Sequence, residues 1–330
     1  MHRRVALLSI LTLTAGGALL PAGPAQAQPG PKPAQKAAAD STSERQAVLR
    51  YWTPQKMETA QPLTAPGPKK GARPAMGEPT TGIPWTAPPT GAPSSGARPQ
   101  LAGSGGSPWT GGGAITKTTG RVFFTYQGRN ASCSGSAVTS ANKSVVLTAG
   151  HCVKLGGAFH TNWVFVPGYE NGNRPNGTWA ATRLLTTPQW NTSEDIDFDV
   201  AAAVVAPLQG KALTDAVGGQ GVAFNQARRQ RMYAFGYPAA APYDGAKLIY
   251  CSGRTFDDFL MSNDQGLTCD MTGGSSGGPW FQNFTESTGL GIQNSVNSFK
   301  YNFAPNLMFG PYFGAEAQAV YQAAQSTNAL

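Results

Sequence analysis

From Arg121 onward the chain is written in short apolar runs. RVFFTY, CSGSAV, SVVLTAG, NWVFVPGY, WAATRLLTT, DVAAAVV, RMYAFGYP, KLIYCSGR, GLTCD, GPWFQ and LGIQNSV follow one another, parted by Gly, Asn and Pro clusters. Val, Ile, Phe and Tyr suit a pleated, half-buried backbone, and the turn residues stop each run before a helix could grow. The pattern predicts an all-β sandwich or barrel system, and roughly 210 residues are enough for two packed barrels. Only AEAQAVYQAAQ (315–325) reads as a helix, and it closes the sequence.

The preceding text is of another kind. From Gln28 to about Gly113 it is rich in Pro, Gly, Ala, Ser and Thr, with linker-like stretches such as TAPGPKKGARPA and PWTAPPTGAPSSGARP. Such composition cannot fill a core, so residues 28–107 are expected to be a largely disordered leader. One island, ERQAVLRYWTPQKMETAQPL (44–63), has helical periodicity. Val48, Leu49 and Trp52 share a face, and Pro54 ends or restarts the helix. The leader is either a pro-region whose island docks on the later domain or a plain tether. Ahead of it, Arg3 and Arg4 precede an apolar run from Val5 to Leu20, and Ala25-Gln26-Ala27 offers a small-x-small cleavage site. Residues 1–27 read as a secretory signal peptide, so a secreted, extracellular protein without a membrane anchor is expected.

The formal net charge of +8 suggests nucleic acid or membrane partners until it is divided along the chain. Residues 28–107 hold nine basic and four acidic groups, whereas residues 108–330 hold 14 and 13. The basicity belongs to the leader, and neither partner is expected for the domain. The one dense cluster, Arg228, Arg229 and Arg231, reads as a solvated loop or strand edge.

Four cysteines, Cys133, Cys152, Cys251 and Cys269, allow three pairings. Joining neighbours, Cys133 to Cys152 and Cys251 to Cys269, is the simplest in an oxidising compartment. A zinc site lacks Cys-x-x-Cys spacing, and no metal is expected. The histidines are His2, His151 and His160. His151, in LTAGHCV, follows an apolar run and adjoins a cysteine, which suits a pinned general base.

The hydroxyl candidate is TGGSSGGPW (272–280), where glycines let the backbone turn sharply and present bare N–H groups to a carbonyl oxygen. Chain order decides among serine hydrolase types. The α/β-hydrolase order needs a histidine after the serine, and none follows Ser276. The subtilisin order needs an aspartate before the histidine, and only Asp40 of the leader precedes His151. His, then Asp, then Ser remains. Among Glu194, Asp195, Asp197 and Asp199, the acid should stand at the mouth of a buried strand. Asp199, just ahead of VAAAVV, is favoured, with Asp197 the alternative.

At these residues the sequence resembles the chymotrypsin-like (trypsin-like) serine peptidases, in the secreted bacterial style with a Pro-rich pro-region. LTAGHCV, Asp199-Val200-Ala201 and GGSSGGP are similar to the family's histidine, aspartate and serine motifs. The resemblance implies two six-stranded antiparallel Greek-key barrels with a C-terminal helix in residues 108–330. It also implies a monomeric endopeptidase acting on proteins or peptides without a cofactor. His151, Asp199 and Ser276 would be catalytic, and the amides of Gly274 and Ser276 would form the oxyanion hole. Asp270, six residues before Ser276, would lie at the base of the specificity pocket and favour Arg or Lys; otherwise it only satisfies local backbone. Gln293 stands where the glutamate-specific branch is expected to carry histidine, which argues against glutamate specificity. Ser275 occupies a place where the family commonly has aspartate, so activation by ion pairing with a new N-terminus is not expected. A catalytically silent binding module and a secreted esterase are the competing readings.

Overall fold

The computed structural model describes residues 32–68, 77–91 and 103–330. The signal-peptide reading of residues 1–27, with His2, lies outside the described residues.

The first half of the domain is a closed barrel. β1 (Thr119–Tyr126) and β2 (Arg129–Val138) are joined by Gln127 and Gly128, both at positive φ, the two-residue turn that matches strand twist. β3 (Val145–Thr148), β4 (Thr161–Pro167), β5 (Trp179–Thr186) and β6 (Ala201–Val205) complete it. The order is β5-β4-β1-β2-β3-β6, all antiparallel, and β6 pairs with β5 to close the ring. β4 returns to the free edge of β1, which is the Greek-key step.

In the second half, β7 (Gly221–Phe224), β8 (Arg231–Gly236) and β9 (Ile249–Arg254) lead to β10 (Gln265–Thr268). β11 (Pro279–Thr285), β12 (Leu290–Val296) and β13 (Leu307–Gly310) follow. These strands lie in two sheets, joined where Phe299, just past β12, bridges Phe309 of β13 in antiparallel sense. One sheet runs β7-β12-β11-β8-β9, with β7 and β12 parallel, and a separate three-stranded sheet holds Phe256–Asp257, β10 and β13. Trp85–Ala87 pairs with β7 and Ser104–Pro108 with β9, so strands from the leader cap both edges of the larger sheet. Disulfides join Cys133 to Cys152 and Cys251 to Cys269.

Within the leader, residues 32–68 are folded and carry the helical island expected at 44–63. α1 (Thr42–Tyr51) starts with a reciprocal Ser41–Glu44 capping box, and α2 (Pro54–Glu58) starts with Thr53 as cap and proline in the first turn. Ala34–Ala37 pairs with β5, and Gln61–Pro62 runs parallel to β2. This segment docks through backbone pairing at strand edges and a few aromatic anchors, which need no apolar run and so leave little trace in composition.

Those anchors explain the two-sided apolarity of RVFFTY. Val122 and Phe124 join Phe165 in the barrel core, while Phe123, Val164 and Val166 face outward. An outer face in water would be polar. Here Trp52, 2% exposed, lies 5.6 Å from the Phe123 ring and donates its indole N–H to the Asn162 carbonyl at 2.6 Å. Met57 is buried in the same cluster. At the other end of the leader, Trp85 packs on Phe224 and Tyr321. Tyr321 belongs to α3 (Ala315–Gln325), whose buried Ala317, Val320, Tyr321 and Ala324 follow helical spacing against the first barrel. Among the described residues no helix is long and apolar enough to cross a membrane. Arg228 and Arg229 share Asp257 near the surface, as a solvated edge should.

Candidate active site

The site forms where three segments distant in sequence meet. β3 ends in the short turn Gly150–Cys152, and the Cys133–Cys152 disulfide ties that turn back to β2. The His151 ring is thus held from both flanks and is fully buried. Its Nδ1 lies 2.8 Å from Asp199 Oδ2, and its backbone N–H donates to Asp199 Oδ1 at 2.8 Å. One carboxylate therefore fixes both the backbone and the ring of the histidine. Nδ1–H donating to Asp199 leaves Nε2 as the basic nitrogen, and among the described residues Nε2 has no hydrogen-bond partner.

Asp199 stands between the turn Ile196–Phe198 and β6 and is fully buried. It also accepts a 2.5 Å hydrogen bond from Ser298 Oγ. Asp197 faces elsewhere: its two oxygens accept from the amide and side chain of Asn263, at 2.8 Å each. Burial raises its pKa, and those bonds oppose the rise. Between the two candidates, Asp199 is the one beside the histidine.

The glycines around Ser276 have individual reasons. Gly277 sits at φ +76°, and a Cβ there would lie 2.0 Å from Thr148 Oγ1. The turn is pressed against the end of β3, the strand that leads into the His151 turn, and Ser134 N–H donates to Ser276 O at 2.7 Å. Gly274, at φ +93°, is also confined: a Cβ would lie 3.0 Å from Ala239 and from the Tyr237 carbonyl. The two serines diverge. Ser275 is buried and caps its own turn, its Oγ donating to Thr272 O at 2.7 Å. Ser276 Oγ instead donates to the carbonyl oxygen of Leu63 at 3.4 Å, and the Gly274 N–H reaches the same oxygen at 3.3 Å. A carbonyl oxygen thus rests between a glycine amide and the serine hydroxyl.

Asp270 is near this group without joining it. It is half-buried; Tyr243 OH donates to Oδ1 at 2.6 Å, and its own N–H donates to Gly105 O. A side chain at Gly106 would collide with the carboxylate, 1.7 Å from Oδ1. Burial lowers the Lys300 pKa to about 8, and the Asp270 charge partly offsets this. Gln293 is buried in β12 with its amide on Ser295 O. The residue that this stretch contributes to the site is Ser298, just past the strand.

Three participants escaped the sequence reading. Ser298 is one; its only signal was a polar Asn-Ser pair ending an apolar run. His160 is another, stacked 4.3 Å from Phe124 and donating Nε2–H to the His151 carbonyl at 2.8 Å. Burial lowers its pKa to about 4, so it serves as a neutral strut. Leu63 is the third, and nothing in its local sequence signals its place. The cluster Cys133, His151 and Cys152 has the spacing of metal ligands, but its sulfurs are bonded to each other.

A family model for the trypsin-like peptidase domain matches residues 133–290. Protease Anisep from Arthrobacter nicotinovorans is 47% identical over 64% of this chain and 96% of its own, with a TM-score of 0.61. The thermostable serine protease AL20, from an extremophilic microorganism, is 45% identical over 65% of this chain and 100% of its own, with a TM-score of 0.62. A Glu endopeptidase at 16% identity and a TM-score of 0.53, covering 69% of this chain and 99% of its own, shares the fold alone. No curated protein matches the chain.

Proposed function

The chain belongs to the trypsin-like serine peptidases, and from that premise we propose that it is a secreted endopeptidase working through His151, Asp199 and Ser276. The observation that carries this reading is the Asp199 carboxylate clasping both the amide and Nδ1 of His151, with Nε2 unpartnered among the described residues.

Ser276 Oγ adds to the scissile carbonyl carbon as its proton passes to His151 Nε2. Asp199 keeps the proton on Nδ1 and balances the imidazolium, itself steadied by Ser298. The electron pair displaced from the carbonyl π bond rests on oxygen, facing the amides of Gly274 and Ser276. Each donor is worth about 3 kcal/mol in the transition state. The imidazolium then protonates the departing amine as the C–N bond breaks, leaving an acyl ester on Ser276. Water repeats the cycle: its proton goes to Nε2, its oxygen to the acyl carbon, and Ser276 leaves as a hydroxyl.

Two disulfides suit an oxidising exterior and support the secreted reading. For specificity we infer a preference for Arg or Lys ahead of the cut, resting on Asp270 as the half-buried acid of this neighbourhood. Chromogenic peptides ending in Arg, Lys and Glu, with matching esters, test both levels. Faster cleavage of the Arg and Lys amides, reduced on the order of 10²-fold by Asp270→Ser, is expected. Cleavage of esters alone would favour the esterase reading. No hydrolysis of any of them by the processed, secreted protein would favour a silent binding module.

A further inference from the structure

Residues 61–65 of the leader lie across the proposed catalytic group. Gln61 and Pro62 pair parallel to Ala131 and Ser132 of β2, and Leu63 N–H donates to Ser132 O at 3.0 Å. The Leu63 carbonyl accepts from Gly274 N–H and from Ser276 Oγ. Beyond it, Thr64 passes Gly273 so closely that a Cβ on that glycine would lie 2.6 Å from Thr64 Oγ1. Ala65, 5% exposed, is enclosed by Phe299, Tyr301 and Phe309. The segment is anchored upstream by Trp52 and Met57 on the outer face of the first barrel.

We propose that this segment is a built-in plug, bound against Ser276 without being cut, and that its displacement opens the enzyme. The inference rests on the peptidase reading for its consequence, though not for the occupancy itself.

Two features make the seated segment unproductive. Attack requires the Ser276 proton to be directed at His151 Nε2, but here the hydroxyl donates to the Leu63 oxygen while Nε2 has no partner among the described residues. The chain also runs in an unsuitable sense. The residues ahead of Leu63 occupy the side next to β2 and its disulfide to the histidine turn, whereas Thr64, whose nitrogen would be the leaving group, is carried past Gly273 towards Phe299. His151 is therefore not offered the amine it would have to protonate.

The test uses the full chain, uncut, with and without Ala65→Arg, which cannot be held among three buried rings and should expel the segment. Three readouts are taken: hydrogen exchange at the Gly274 amide, labelling of Ser276 by a fluorophosphonate, and the mass of the chain. We expect slow exchange and slow labelling in the unaltered chain. Both should rise at least tenfold in Ala65→Arg, and the Leu63–Thr64 bond should remain intact in the unaltered chain. Equal exchange and equal labelling in the two chains would overturn the plug, as would cutting between Leu63 and Thr64. Faster Gly274 exchange in Ala65→Arg with no labelling of either chain would support the plug and instead refute the peptidase reading.

Discussion

The two adjacent serines of TGGSSGGPW have opposite tasks, and the difference is set by where each hydroxyl points. Ser275 turns back onto Thr272 O, while Ser276 faces the carbonyl held by Gly274. Ser276→Ala should therefore lower peptide turnover on the order of 10⁴- to 10⁶-fold. Ser275→Ala should leave turnover within about tenfold and cost about 1 kcal/mol of stability, read from a denaturant midpoint. Asp199→Asn should lower kcat about 10⁴-fold by favouring the wrong tautomer of His151, whereas Asp197→Asn should not. His160 carries a different signature. Its folded pKa is about 4, against an ordinary value of 6.5, so between those values the unfolded chain binds a proton that the folded one does not. Stability is then complete above about pH 6.5 and falls towards pH 4, by about 3 kcal/mol in all. Thermal melts across that range should show His160→Gln to be less acid-sensitive than the unaltered protein.

At the scale of elements, much of the barrel was legible because alternation and turn residues are local. RVFFTY and CSGSAV became the β1–β2 hairpin, and AEAQAVYQAAQ became α3. The chain order of His151, Asp199 and Ser276 was legible for a related reason, since absences in a sequence exclude rival arrangements. What could not be read was pairing between distant backbones. Nothing in WTA or SGGSP says that these residues cap β7 and β9, and nothing in QPL says that Leu63 reaches Gly274. Ser298 escaped because its role depends on a 99-residue separation from Asp199. The outward Phe123, by contrast, did carry a trace of its cover: an apolar residue on both faces of a strand needs a partner on each. Trp52→Ala should remove that cover at a cost of about 3–5 kcal/mol to leader docking. Hydrogen exchange should then accelerate across residues 42–58, with the β1–β2 amides still protected.

For the whole molecule, the described parts of the leader pack on the domain, Trp85–Ala87 and Ser104–Pro108 at sheet edges and residues 61–65 across the site. A buried acid reports on the stability of the folded chain. Asp264 is fully buried, and both its carboxylate oxygens lack partners among the described residues. Burial and the neighbouring charges of Asp197, Asp199 and Asp258 raise its pKa well above the ordinary 3.8. The folded chain then keeps a proton that the unfolded chain releases, so this group lowers stability as pH rises from about 3.8 towards its folded value. Asp264→Asn should raise Tm at neutral pH and leave it unchanged in strong acid, where both states are protonated.

The central claim is that Ser276, activated by His151 and Asp199, is the nucleophile beneath a leader that must move aside. Fluorophosphonate labelling of the full chain carrying Ala65→Arg, with the adduct mapped by peptide mass spectrometry, tests it most directly. A single adduct on Ser276 is predicted, abolished by Ser276→Ala, kept in Ser275→Ala and strongly slowed by Asp199→Asn. An adduct on any other residue, or none in a folded chain whose Gly274 amide exchanges freely, would contradict it.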